Sequence, residues 1–127
     1  MERQRFEELV RRALDELPEE IAERMSNVDI EVQDWPSDSQ LHSVGISSGQ
    51  TLLGLYQGIP LTMRTSGYQM VAPDRIIIFQ GPLERFSGSD AQLVEQVQST
   101  VIHEMAHHFG ISDERLREIE ARRHKQP

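Results

Sequence analysis

The sequence predicts an α+β domain in which a small mixed or antiparallel sheet packs on helices. Three observations carry this expectation. Strand-like segments sit in the middle of the chain and helix-like segments at its two ends, a segregation that argues against alternating parallel architectures. Arg75-Ile76-Ile77-Ile78-Phe79 is rich in β-branched residues, and a long amphipathic helical pattern follows it from Ser89 to Phe109. With 127 residues and no internal repeat, residues 1–127 read as one domain with a modest core.

Each element has its own signal. Phe6, Leu9, Val10, Ala13, Leu14 and Leu17 recur at helical spacing and predict a first amphipathic helix that stops before Pro18. Proline suits a first helical position, so Pro18 opens a short second helix through Met25, which Asn27 breaks. Val28-Asp29-Ile30-Glu31-Val32-Gln33 alternates apolar and polar residues, as a half-buried strand does, and Trp35-Pro36 ends it. Residues Ser37 to Gln50, rich in Ser, Gly, Asp and Gln, read as a loop. Thr51 to Tyr56 is the second strand, closed by a turn at Gln57-Gly58-Ile59-Pro60, and Arg64 to Gly67 is a further loop. The Arg75–Phe79 strand is bounded by Pro73-Asp74 and Gly81-Pro82. Ser89 with Gln92 fits a capping box for the long helix, and a last charged helix runs from Ser112 to His124.

Composition narrows the function. The chain has no cysteine, so any metal must be held by histidine and carboxylate. Its formal net charge of -8 repels phosphate backbones and argues against nucleic acid as a partner. The basic residues near the C-terminal end, Arg115, Arg117, Arg122, Arg123 and Lys125, read as solvated cations favouring the last turns of a helix. No apolar run reaches membrane-spanning length, and the charged first eight residues lack the apolar stretch of a signal peptide. A cytoplasmic address with no membrane partner is the resulting expectation.

The chemistry concentrates in His103-Glu104-Met105-Ala106-His107-His108-Phe109-Gly110-Ile111-Ser112-Asp113, which reads HExxHxxGxxD. Residues four apart on a helix lie one turn above each other, so His103 and His107 can grip one metal ion. Glu104 beside them can act on a metal-bound water, and Gly110 tolerates the positive φ at which a helix stops. Asp113 would then arrive as a third, anionic ligand, leaving a fourth tetrahedral position open, the mark of catalytic zinc. Asp113 also suits the start of a new helix; Ser112 could cap that helix instead, and Glu114 competes for the ligand role. Leu93, Val94, Val97, Val101, Ile102, Met105 and Phe109 form the apolar face of the motif helix, with both motif histidines opposite and Glu104 on the border. His108 falls in the middle of the apolar face and reads as a core or border histidine rather than a ligand.

With this motif placed after an Ile-rich strand, the chain resembles the small bacterial zincin-like metallopeptidase family, a minimal form of the zincin fold. The likeness is carried by Phe6 to Val10 with Ala13-Leu14 and Leu17-Pro18, by Leu53 to Thr62, by Pro73 to Pro82 and by His103 to Asp113. The resemblance implies Zn2+ as cofactor, His103, His107 and Asp113 as its ligands, and Glu104 as the general base. The chain departs from metzincins, which place a third histidine where Asp113 stands and add a downstream Met-turn. No methionine follows Met105 here, and no C-terminal subdomain walls off a cleft.

These readings lead to a zinc-dependent peptidase acting on peptides or unfolded proteins, with Tyr56, Tyr68 and Arg115 as candidate oxyanion donors. An extended substrate would add to an exposed strand edge, either Arg75–Phe79 or Thr51–Tyr56. Metal-dependent RNA hydrolysis and a non-catalytic, metal-stabilised interaction module are the alternatives. Acidic charge weighs against the first, and the presence of Glu104 against the second.

Overall fold

Phe6, Leu9, Val10 and Ala13 recur every three or four residues, and that stripe is the buried face of helix α1 (Arg3–Asp15). It lies in a computed structural model that describes residues 1–45, 52–58 and 74–125. The short helix α2 (Glu19–Arg24) follows, with Pro18 just outside it; the Pro18 carbonyl accepts from the N–H groups of Ile21 and Ala22 at 3.0 and 2.9 Å. A 3-10 turn, Met25–Asn27, delivers the chain into β1 (Val28–Gln33), as the alternation of that segment predicts.

β2 (Gly54–Gln57) and β3 (Asp74–Phe79) complete a three-stranded sheet ordered β1-β3-β2. β1 runs parallel to β3, with Val28 opposite Asp74, while β2 runs antiparallel to it, with Gly54 opposite Ile78. The sheet is therefore mixed. One expectation is corrected here: Arg75–Phe79 is the central strand and offers no edge to a substrate. Its continuous apolar run is what a strand covered on both faces carries, and Ile76, Ile77, Ile78 and Phe79 are at most 1% exposed.

Two helices appear where turns or loops were expected. α3 (Asp38–Ser43) begins at a capping box, in which the Ser37 hydroxyl accepts from the Gln40 N–H and the Ser37 N–H donates to the Gln40 side chain. α4 (Gln80–Arg85) starts directly after β3, so Gly81-Pro82 lies in a first helical turn rather than in a bounding turn. Proline loses no bond there, because first-turn N–H groups have no intrahelical partner. Glycine is needed at 81 because a Cβ would overlap the Trp35 indole.

The long helix α5 (Asp90–Phe109) is capped by Ser89, whose hydroxyl accepts from the Gln92 N–H at 3.2 Å. The expected box is only half formed, since the Gln92 side chain takes the Gly88 N–H instead. α5 ends at Gly110 with φ 67°, where the N–H groups of Gly110 and Ile111 both return to the Ala106 carbonyl. α6 (Asp113–Lys125) closes the described chain. The core lies between α1, α5 and the sheet, and Ile21 of α2, Leu83 of α4 and Ile119 of α6 belong to it. Inside it, the buried Gln98 amide donates to the Ala13 carbonyl at 3.1 Å and accepts from Arg123, which in turn pairs with Glu120. Arg123 is thus largely buried and not the solvated cation expected.

β2 rests directly on α5. A Cβ built on Gly54 would stand 2.5 Å from the Thr100 Cγ2 and 3.2 Å from the Ile77 carbonyl oxygen. No helix among the described residues is long and apolar enough to cross a membrane. Thr51, the expected turn at Ile59-Pro60, the loop at 64–67 and Tyr68 lie outside the described residues. Gly54→Ala must lift β2 from α5, and overpacking of this kind costs about 1–3 kcal/mol. Urea denaturation should show that loss, and Thr100→Ser in the same chain, which deletes the opposing methyl, should recover part of it. Additive effects of the two changes would contradict the close approach.

Candidate active site

α5 presents two adjacent stripes to solvent and to β2. His103 and His107, four residues apart, are both exposed on one of them, and Glu104 sits between them half-buried. The placement follows from helical geometry: Val101, Ile102, Met105 and Ala106 point into the core, so the histidines project away from it. The His103 Nδ1 lies 2.7 Å from the Ser99 carbonyl oxygen, which makes Nδ1 the protonated nitrogen and leaves Nε2 with its lone pair outward. The His107 Nδ1 stands 3.9 Å from the Glu104 Oε2.

Glu104 is anchored from the other side. The Phe79 N–H donates to the Leu53 carbonyl at 3.0 Å, so in the antiparallel ladder Leu53 and Leu55 turn their main-chain groups to β3. Gly54 and Tyr56 then turn theirs away from β3. The Tyr56 N–H donates to the Glu104 Oε1 at 3.2 Å, in agreement with that alternation. Burial pushes the Glu104 carboxyl above its ordinary value, while the Tyr56 N–H, His107 and His103 oppose the shift in that order. Beside it opens a cleft of about 250 Å³, walled by Leu52, Leu53 and Gly54 on one side and Ser99, Thr100, His103 and Glu104 on the other. A larger cavity, about 560 Å³, lies between α2 and α6 away from the histidines.

Asp113, the third expected ligand, stands at the start of α6. Ser112 caps α6, its hydroxyl accepting from the Arg115 N–H at 3.1 Å, so Asp113 is exposed in the first turn with no capping duty. Among the described residues, no three His, Cys, Asp or Glu side chains converge closely enough to hold a metal ion. The paired imidazoles suit zinc in donor chemistry and in spacing, whereas neither Asp113 nor Glu114 is gathered with them.

Other assignments change with the structure. Arg115 is not an available oxyanion donor, because its guanidinium binds the Glu20 carboxylate at 2.9–3.2 Å and Glu118 at 2.7 Å. Glu20 is held below the ordinary carboxylate range by that contact. The Tyr56 hydroxyl donates to the Asp74 Oδ2 at 2.8 Å. His108 is not in the apolar core: it is 40% exposed and its ring stacks on Tyr56. Phe109, the last residue of α5, is likewise 40% exposed. Periodicity placed His108 by angle alone and carried no information about the Tyr56 ring it meets.

Comparison with known proteins bears on the family and the fold. A family model described as zincin-like metallopeptidase matches residues 25–123. A solved structure of a conserved hypothetical protein from Thermo thermophilus is similar in fold. Its TM-score is 0.52 at 22% identity, over 84% of this chain and 92% of that one. None of the curated proteins matches the chain.

The Glu104 environment has a measurable consequence. A carboxyl raised in the folded state keeps its proton to higher pH than in the unfolded chain, so folding stability falls as pH rises from the ordinary value of 4.5 through the raised one. Glu104→Gln has no proton to lose and keeps an oxygen for the Tyr56 N–H. In metal-free protein it should therefore be more stable than wild type above that window and equal to it below. Denaturation midpoints at the two ends of the window check this; a stability difference independent of pH would contradict the buried carboxyl.

Proposed function

Because the chain belongs to the zincin-like metallopeptidase family, we propose that it is a zinc-dependent peptidase with Glu104 as general base. The observation that carries this reading is Glu104 itself, a half-buried carboxylate set between two exposed imidazoles and tied to the edge of β2. A structural metal site has no use for such a group. His103, through its free Nε2, and His107 would hold the metal, with Asp113 as third ligand once its exposed side chain turns toward them. Bound zinc supplies a Lewis acid for the scissile carbonyl and a water that ionises near neutral pH.

The chain's own residues do the rest. The Tyr56 N–H occupies Glu104 Oε1, leaving Oε2, on the histidine side, to take a proton from the attacking water and return it to the leaving amine. Partial burial favours this exchange by bringing the carboxyl nearer to neutrality in basicity. An extended peptide lies along the cleft beside β2, which among the described residues pairs only with β3. It meets the main chain at residues 52–54, since the Tyr56 N–H is held by Glu104. The cleft is small, so backbone pairing dominates side-chain selection, and unfolded segments are better substrates than folded proteins. The net charge of -8 disfavours acidic peptides and RNA alike.

A mixed peptide library and a structured RNA, each incubated with zinc-loaded protein, test this function. Peptide cleavage should fall about 10²–10⁴-fold in Glu104→Gln with zinc still bound, as expected for loss of a general base. His103→Ala and His107→Ala should lose zinc and activity together. Glu104-dependent cleavage of RNA with peptides untouched would replace the peptidase by a nuclease. Loss of zinc from Glu104→Gln would make Glu104 a ligand.

A further inference from the structure

Thr100, Glu104 and His108 are spaced by four residues and form one stripe along α5. Each meets β2. Thr100 packs under Gly54, Glu104 accepts the Tyr56 N–H, and the His108 ring stacks on the Tyr56 ring at 3.9 Å with planes 12° apart. Phe109 meets the His108 ring edge-on at 4.9 Å. The His108 Nε2 is 3.8 Å from the Asp74 Oδ2, the oxygen that accepts the Tyr56 hydroxyl. One residue of β2 is thus held at three points: its amide by Glu104, its ring by α5 and its hydroxyl by β3.

We propose that His108 is a positioning residue for Glu104: by stacking on Tyr56, whose hydroxyl Asp74 fixes, it holds β2 where the Tyr56 N–H meets the carboxylate. The proposal rests on the peptidase reading for its catalytic consequence, but the positioning itself does not depend on turnover. With Gly54 on Thr100 fixing one end of β2, the Tyr56–His108 stack fixes the other, and Glu104 lies between the two contacts. Losing the stack leaves the strand free to ride away from α5 at its Tyr56 end. Oε1 then loses its donor and the carboxylate loses its fixed orientation toward the histidines. An aromatic pair of this kind is held by ring contact more than by charge, so another aromatic ring at 108 should substitute for it.

Hydrogen exchange of the Tyr56 amide reads the Tyr56–Glu104 bond directly, in metal-free and in zinc-loaded protein. His108→Ala should speed that exchange roughly two- to tenfold, the weight of an aromatic pair, with the amides of β1 and of the buried turns of α5 unchanged. His108→Phe should restore it, and Tyr56→Phe, which keeps the ring stack and removes the hydroxyl that donates to Asp74, should give a smaller increase. In zinc-loaded protein His108→Ala should lower kcat by a similar factor with KM and bound zinc unchanged. Tyr56 exchange equal to wild type in His108→Ala would overturn the proposal. So would an equal acceleration throughout α5 and β1, which would make His108 an ordinary packing residue. Turnover unaffected by Glu104→Gln would remove the peptidase reading instead, and the exchange measurement would still decide the positioning.

Discussion

The contact on which the site depends is the approach of β2 to α5 at Gly54 and Thr100. A side chain on residue 54 could not be accommodated without moving the strand. The absence of one brings the strand edge onto the stripe of α5 that carries Glu104. Two opposing effects follow. Covering the carboxylate strips it of water and raises its basicity, while the outward N–H of Tyr56 stabilises its charge. Desolvation is the larger of the two, so the group keeps more affinity for a proton than an exposed glutamate has, as a base that must both take and return one requires.

Polar links hold the surrounding frame at fixed angles. Gln98 closes the C-terminal turn of α1 by donating to the Ala13 carbonyl, and through Arg123 it reaches α6. Arg115 ties α6 to α2 through Glu20. The Arg115–Glu20 pair is partly exposed, and such a pair typically adds less than about 1 kcal/mol to stability, whereas the Gln98 links are largely buried. Their effect is on orientation: they set where α6 begins, and so where Asp113 stands relative to the histidines.

Much of this was readable from the chain because local rules and tertiary context agree. The apolar stripe of α1, the alternation of β1, the Ser89 cap and the positive φ of Gly110 each need only neighbouring residues to be understood. The same holds for the exposure of His103 and His107 opposite the core face. α3 was also signalled, by Ser37 and Gln40 at capping-box spacing, but the polar composition of the segment outweighed that signal. α4 was hidden because Gly81-Pro82 normally breaks structure; the Trp35 ring that makes glycine necessary there comes from a distant segment. The position of β3 at the centre of the sheet, the pairing of Tyr56 with Glu104 and the escape of His108 from the core are relations between elements. Periodicity within one element carries none of them.

If the exposed face of α5 beside the β2 edge is a zinc centre, anomalous diffraction at the zinc absorption edge from zinc-soaked crystals will locate the metal there. One peak per chain is predicted, about 2.0–2.1 Å from the His103 Nε2 and from an imidazole nitrogen of His107, with the Asp113 carboxylate turned toward it. Glu104 should remain off the metal. No peak at these histidines under saturating zinc, or a peak held by residues elsewhere in the chain, would contradict a zinc centre at this site.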